Sequence, residues 1–155
     1  MPSSVQTVAE YLLAFFQDMC DPIPSGKLQR LLYYVQGWHL ALHGTPAFEE
    51  RIEAWIAGPS CPAIQELYGH LRWAPIVDPI RQPKIDDERL KEVIDGVIDE
   101  YGMDTGFSLH LRSRAESPWR EARNGISNHH ESTPEISHES MRRFFLQEAS
   151  RTEEA

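Results

Sequence analysis

Cysteine is scarce in this chain of 155 residues, which contains only Cys20 and Cys61. Two cysteines without a CxxC spacing provide neither a disulfide framework nor a cysteine-based metal site. They fit a reducing compartment, in which free thiols persist. The N-terminal segment MPSSVQTVAEYLL has no basic region and carries Glu10 within its apolar part, so a secretory signal is not indicated.

Long apolar runs and net positive charge are also missing. No run approaches the roughly 20 apolar residues that a membrane-spanning helix needs. The formal net charge is −9, whereas a duplex-binding domain normally presents a basic face to the phosphates. The arginines of the last third are better explained as a solvated, partly paired surface: Arg112, Arg114, Arg120, Arg123, Arg142 and Arg143. We therefore expect a cytoplasmic protein that uses no membrane, and the net charge argues against a nucleic-acid partner.

Catalytic motifs are absent as well: the sequence has no P-loop, GxGxxG, GxSxG or HExxH. His39 and His43 are four residues apart on a predicted helix and could reach one metal, but a zinc site needs further ligands. Cys61 is the best nucleophile candidate, yet no base or oxyanion site accompanies it. Packed or hydrogen-bonded roles explain these residues better. We expect no catalytic residue, no metal and no cofactor, and a cysteine- or metal-dependent enzyme stays a weaker alternative.

Apolar periodicity predicts a mainly α fold with one minor β element, a short strand or hairpin. The length and the absence of linkers indicate a single domain, residues 1–155, with a core of about 5–146. Helices are predicted at about 4–18, with Ser3 as the N-cap, from Ser25 to Gly44, from Pro62, at 86–102, from Thr105 to about Ser113, from Ser117, and from Ser137. In the helix at 86–102 the apolar residues that share one face are Leu90, Val93, Ile94, Val97, Ile98 and Tyr101. A strand is predicted at 52–57, and the segment PIVDPI could pair with it.

The second helix has apolar residues on more than one side. Its core-facing stripe comprises Leu28, Leu31, Leu32, Val35, Trp38, His39 and Leu42. An adjacent face carries Gln29, Tyr33, Gln36 and Leu40. A surface helix normally shows a single apolar stripe. This helix is therefore either central and buried on all sides, which is the more general case, or it presents its second face to a partner.

Three segments resemble the Panacea domain family, an antitoxin family that includes SocA-like and phage-associated GepA-like proteins. They are KLQRLLYYVQGWHLALHGTPAF (27–48), IEAWIAGPSCPAIQELY (52–68) and ESPWREAR (116–123). The motif positions that carry the likeness are Lys27, Leu28, Leu31, Leu32, Trp38, Gly58, Pro59 and Pro118. The chain departs from the pattern at Ser113-Arg114, where family members usually have Thr-His.

The resemblance implies an antitoxin of bacterial or prophage origin that neutralises a protein toxin, encoded next to it, by direct contact. It also leaves open an adaptor that delivers the toxin to an unfoldase or protease. It implies no shared enzymatic activity. On this basis the candidate partner-binding residues are the members of the second helix and its neighbours that we expect to be exposed: Gln29, Tyr33, Gln36, Leu40, Trp55 and Trp119.

Overall fold

The computed structural model describes residues 4–127 and 130–154. Its elements in chain order are α1 (Val5–Asp18), α2 (Ser25–His43), β1 (Glu53–Trp55), β2 (Gly58–Ser60), α3 (Pro62–Tyr68), a 3₁₀ turn (Gly69–Leu71), α4 (Glu88–Tyr101), α5 (Gly106–Ala115), α6 (Ser117–Ala122) and α7 (His138–Glu154). The predicted mainly α fold with a small β element is confirmed. All of the predicted helices are present.

Helix α2 is the centre of the fold. Helices α7, α4, α5, α1 and α3 and strand β2 all contact it. The most extensive contact is with α7, where the ring of Phe145 lies 5.1–5.9 Å from the rings of Tyr33, Tyr34 and Trp38. Gly37 allows this approach, since a Cβ there would lie 2.1 Å from the Phe145 ring. The central interpretation of α2 is therefore the correct one.

Local capping explains where several helices begin and end. Ser4 caps α1 through Thr7 N, whereas Ser3, the predicted cap, lies outside the described residues. The Asp87 carboxylate caps α4, and the Thr105 hydroxyl caps α5. Gly44 follows α2 in the left-handed conformation, with φ 73°, which glycine adopts at little cost.

The β element is a two-stranded antiparallel hairpin in which Glu53 pairs with Ser60 and Trp55 with Gly58. Gly58, at φ 121°, directs the chain back along β1. The expected pairing of β1 with PIVDPI is wrong, because that segment turns to the start of α2 instead. Its Ile76 donates a backbone hydrogen bond of 2.9 Å to Ile23 O.

Candidate partner-binding surface

Most of the partner-binding candidates predicted from the sequence lie inside the protein. Gln29, Tyr33, Gln36, Leu40 and Trp119 are buried, and Trp55 is partly buried. The expectation that the second face of α2 is exposed is therefore wrong. The physical reason is that helices and the hairpin surround α2 and cover both of its faces. Leu42 shows the opposite error, since this expected core residue is 57% exposed at the last turn of α2.

The two glutamines of α2 hold neighbouring loops in place. The Gln29 amide donates to Cys61 O at 3.0 Å and accepts from Cys61 N at 2.7 Å. The Gln36 amide donates to Phe48 O at 2.9 Å and accepts from Ala47 N at 2.8 Å. Each side chain therefore satisfies backbone groups that burial would otherwise leave unpaired. Both glutamines lie in the segment 27–48 that resembles the family, and both have a structural role there.

A buried carboxylate connects the first motif with the third. The hydroxyls of Tyr33 and Tyr34 donate to the two oxygens of Glu116, at 3.0 and 3.3 Å. Burial raises the pKa of Glu116 to about 7, although the two tyrosine hydrogen bonds and Arg112, 3.8 Å away, act in the opposite direction. Burial and the Glu116 charge also raise the pKa of both tyrosines.

Arg30 connects the first motif with the second. Its guanidinium donates to Ala57 O at 2.5 Å, to Pro59 O at 3.2 Å and to Ser60 Oγ at 3.2 Å. Burial lowers the pKa of Arg30 to about 10. A Cβ at Gly58 would lie 2.7 Å from Arg30 Nε, so the motif glycine leaves room for this side chain. Sequence reasoning missed Arg30, although a cation flanked by core positions was an available signal.

Arg123 fixes the loop before α7. Its guanidinium donates to four backbone carbonyls at 2.7–2.8 Å, those of Ala54, Ser127, His130 and Ser132. The assignment of Arg123 to a solvated surface is therefore wrong, because the side chain is buried. Trp119 lies beneath it, with the Arg123 guanidinium 5.4 Å from the ring.

Ser113 and Arg114, where the chain departs from the family pattern, lie next to the Glu-Ser-Pro-Trp segment at 116–119. Ser113 is buried and donates to His110 O at 3.2 Å. The Arg114 guanidinium lies 4.8 Å from the Trp119 ring, a distance at which a cation–π contact is favourable. Trp119 in turn donates to Trp55 O at 2.8 Å. Ser113 and Arg114 thus take part in the packing that holds the hairpin.

An open groove of about 480 Å³ lies where the N-terminal ends of α2 and α5 meet the hairpin turn. Its lining residues are Pro24, Gly26, Lys27, Arg30, Ala57, Trp73, Gly106, Phe107 and His110. Trp73 is 91% exposed and Phe107 is 71% exposed, so two large aromatic side chains at the edge of the groove are largely accessible to solvent. Exposed apolar surface of this kind commonly marks an interaction site. We call it the Trp73–Phe107 groove.

The residues considered for chemistry have packed environments. Cys61 is 1% exposed, and burial raises the pKa of its thiol. His39 is buried with its Nδ1 2.5 Å from Thr45 O, and its ring centroid is 5.0 Å from that of His43. Within residues 4–127 and 130–154, no group of three or more His, Cys, Asp or Glu side chains could hold a metal ion. No helix of this same part of the chain combines the length and apolarity required to cross a membrane.

Comparison with known proteins gives one family. The family model described as "Antitoxin SocA-like, Panacea domain" matches residues 28–120, more than half of the chain. The match runs from α2 into α6 and therefore contains the hairpin, the Tyr33–Glu116 contact and much of the Trp73–Phe107 groove. No curated protein and no solved structure gives a match.

Proposed function

We propose that this chain, which belongs to the family of SocA-like antitoxins with a Panacea domain, neutralises a cognate protein toxin by direct contact at the Trp73–Phe107 groove. The family supports an antitoxin role and a toxin partner. The groove supports the location, because its two exposed aromatic residues do little for the core. The polar residues Gln29 and Gln36 of α2, in contrast, are buried and bonded inside the fold.

The two aromatic residues provide enough surface for a strong contact. A fully buried tryptophan or phenylalanine removes about 150–250 Å² from water. At roughly 25 cal/mol per Å² each ring offers several kcal/mol of gross stabilisation, before the entropy cost of association. Trp55, the one partner-binding candidate predicted from the sequence that is only partly buried, lies two residues before Ala57 in the chain but does not line the groove.

We further infer that the chain acts by binding and not by catalysis, in the cytoplasm and without a cofactor. The buried thiol of Cys61, with its raised pKa, supports this, because the thiolate is the reactive form. The sequence also has no recognisable catalytic motif. A protein that blocks a toxin by covering its surface needs no catalytic residue of its own.

The test is co-expression with the product of the neighbouring gene. We expect that product to halt growth alone, to be tolerated with this protein, and to co-purify with it. Trp73→Ala should weaken the complex by roughly 30-fold, the value of a 2 kcal/mol hot spot. Leu42→Ala, an exposed apolar residue of the last turn of α2, is the matched control and should bind like the parent. Full affinity in Trp73→Ala and Phe107→Ala would contradict the proposed surface.

An adaptor function is the second candidate, and a second groove favours it. This groove, of about 350 Å³, lies between α2 and α4 and includes Trp38, Leu42, Val93 and Val97. An adaptor must hold the toxin and a protease component at separate surfaces. The half-life of the toxin in cells separates the two functions. If the protein delivers the toxin to a protease, its presence shortens the toxin half-life. Leu42→Ala should then restore the half-life without changing the affinity for the toxin. Direct blocking leaves the half-life unchanged or longer.

A further inference from the structure

Helix α5 is apolar on two opposite sides. Its buried residues are Leu109 and Ser113, which face the fold. Phe107 and Leu111, four residues apart, share the other side, where Phe107 is largely accessible to solvent and Leu111 is 53% exposed. Residues at i and i+4 are neighbours on a helix surface. Because Trp73 lines the same groove as Phe107, these three side chains form one apolar surface, which we call the α5 outer face.

The Phe107 ring of this face is held in place from within the chain. It stacks on the His110 imidazole, with ring centroids 6.1 Å apart and an interplanar angle of 20°. His110 in turn donates through Nδ1 to Ala57 O at the hairpin turn. A side chain that is already ordered loses less conformational entropy on binding. The α5 outer face is therefore prepared for a partner before the partner arrives.

The charged residues beside this face are compensated within the chain. Arg112 lies 3.8 Å from Glu116 and 3.9 Å from Asp104. The Arg114 guanidinium lies over the Trp119 ring. Two molecules with a net charge of −9 each repel one another in general. They approach at the lowest cost through a face that is apolar and whose flanking charges are compensated, so this face fits a second copy of the chain.

The area of the face indicates how strong such a contact can be. A large aromatic ring removes about 150–250 Å² from water when it is fully buried. Trp73 and Phe107 are both mostly exposed, so the four rings of a symmetric pair would remove roughly 600 Å². Leu111 and the surface around the rings bring the total to roughly 1,000 Å², the lower limit for a specific interface. A contact of this size is weak and reversible.

We propose that a second copy of this chain covers the α5 outer face in the absence of toxin, in a two-fold symmetric dimer with antiparallel α5 helices. Phe107 and Leu111 of each copy pack against those of the other, Trp73 covers their side, and the antiparallel helix dipoles attract. This contact covers the Trp73–Phe107 groove. Competition between the toxin and the second copy rests on the proposed function, whereas the dimer itself does not.

Sedimentation equilibrium of the purified chain tests the dimer. We expect the mass to rise from 17.8 kDa towards twice that value, with a dissociation constant on the order of 10–100 µM. Trp73→Ala and Leu111→Ala should each raise this constant by roughly tenfold, because each substitution removes contacts from both copies. Leu42→Ala, which removes an exposed apolar side chain elsewhere, is the matched control and should associate like the parent.

Crosslinking tests the position of the two-fold axis. Ser108 is exposed and lies between the two apolar residues of the α5 outer face along the helix. In a Cys20→Ser background the remaining native cysteine is the buried Cys61. A short bismaleimide should then link Ser108→Cys to its own copy in the dimer, whereas Gly96→Cys on α4 should not react in this way. Addition of the neighbouring gene product should abolish the crosslink.

The results separate this inference from the proposed function. A chain that stays monomeric up to about ten times the expected dissociation constant would overturn the dimer. So would a dimer that Trp73→Ala and Leu111→Ala leave unchanged. Neither result alters the toxin affinity of Trp73→Ala, which is measured at concentrations at which the protein is monomeric. A Ser108→Cys crosslink that persists in the toxin complex would support the dimer and contradict the proposed toxin-binding surface.

Discussion

Replacement of Glu116 by glutamine should change how the stability of the protein depends on pH. The Glu116 side chain is 11% exposed and accepts hydrogen bonds from Tyr33 and Tyr34. Burial raises its pKa from 4.5 to about 7. A carboxyl whose pKa is higher in the folded state binds its proton more tightly there. Its contribution to stability is therefore complete below pH 4.5 and is lost as the pH rises through about 7.

The size of the effect follows from the pKa difference. Each pH unit between the unfolded and folded pKa values is worth about 1.4 kcal/mol. Between pH 4.5 and pH 7 the ionisation of Glu116 thus costs the folded protein about 3 kcal/mol. Glu116→Gln has nearly the same shape and never ionises, and at every pH its amide oxygen accepts from one tyrosine hydroxyl while its NH2 group donates to the oxygen of the other. The unfolding free energy of the variant, relative to that of the parent, should therefore rise by about this amount as the pH increases from 5 to 8.

The assay is urea unfolding, followed by tryptophan fluorescence, at several pH values between 5 and 8. Other titrating groups are common to both proteins, so the difference between their unfolding free energies isolates Glu116. Glu121→Gln is the matched control, because Glu121 lies in α6, which begins directly after Glu116, but is half exposed and pairs with Arg143 at 2.6 Å. A difference between Glu116→Gln and the parent that stays constant across this pH range would refute the reasoning.

Two further predictions concern the core and the thiols. Gly37→Ala should destabilise by about 2 kcal/mol or more in urea unfolding, because its Cβ meets the enclosed ring of Phe145. Gly96→Ala, with an open site, should stabilise by about 0.5–1 kcal/mol, and equal effects of the two would contradict the packing. A thiol reagent should label exposed Cys20 quickly in the native protein and buried Cys61 only after unfolding. Rapid labelling of both would reopen a role for Cys61 as a nucleophile.

The sequence predicted those parts of the fold in which the pattern is local. The 3.6-residue period placed Leu90, Val93, Ile94, Val97, Ile98 and Tyr101 on one face of α4, and all six are buried. Gly44 and Thr105 were recognised as helix boundaries from chemistry that acts within one turn. Such signals do not depend on how distant segments meet.

The second face of α2 could not be assigned in this way. Tyr33 is buried because Glu116, 83 residues later in the chain, lies against its hydroxyl. Gln29 is buried because the backbone of Cys61 meets its amide, and the period of α2 carries no information about either partner. A polar residue on a helix is compatible with water or with a distant buried group, and only the tertiary contacts decide between them.

The Trp73–Phe107 groove likewise could not be predicted from the sequence. Trp73 lies in a segment with several prolines, and Phe107 lies in a short helix whose two buried residues are Leu109 and Ser113. Neither position belongs to an apolar stripe that would have marked it as exposed or buried. Their neighbourhood arises because the start of α2, the hairpin turn and the start of α5 converge.

Hydrogen–deuterium exchange on the toxin complex shows which surface of this protein the toxin covers. We expect toxin binding to protect the amides at the start of α2, around Gly26 and Lys27, at the hairpin turn, and at the start of α5, around Gly106 and Phe107. The outer face of α4 should exchange as in the free protein. Protection confined to α4 and the end of α2, with the Trp73–Phe107 groove unchanged, would contradict the assignment of the toxin-binding surface.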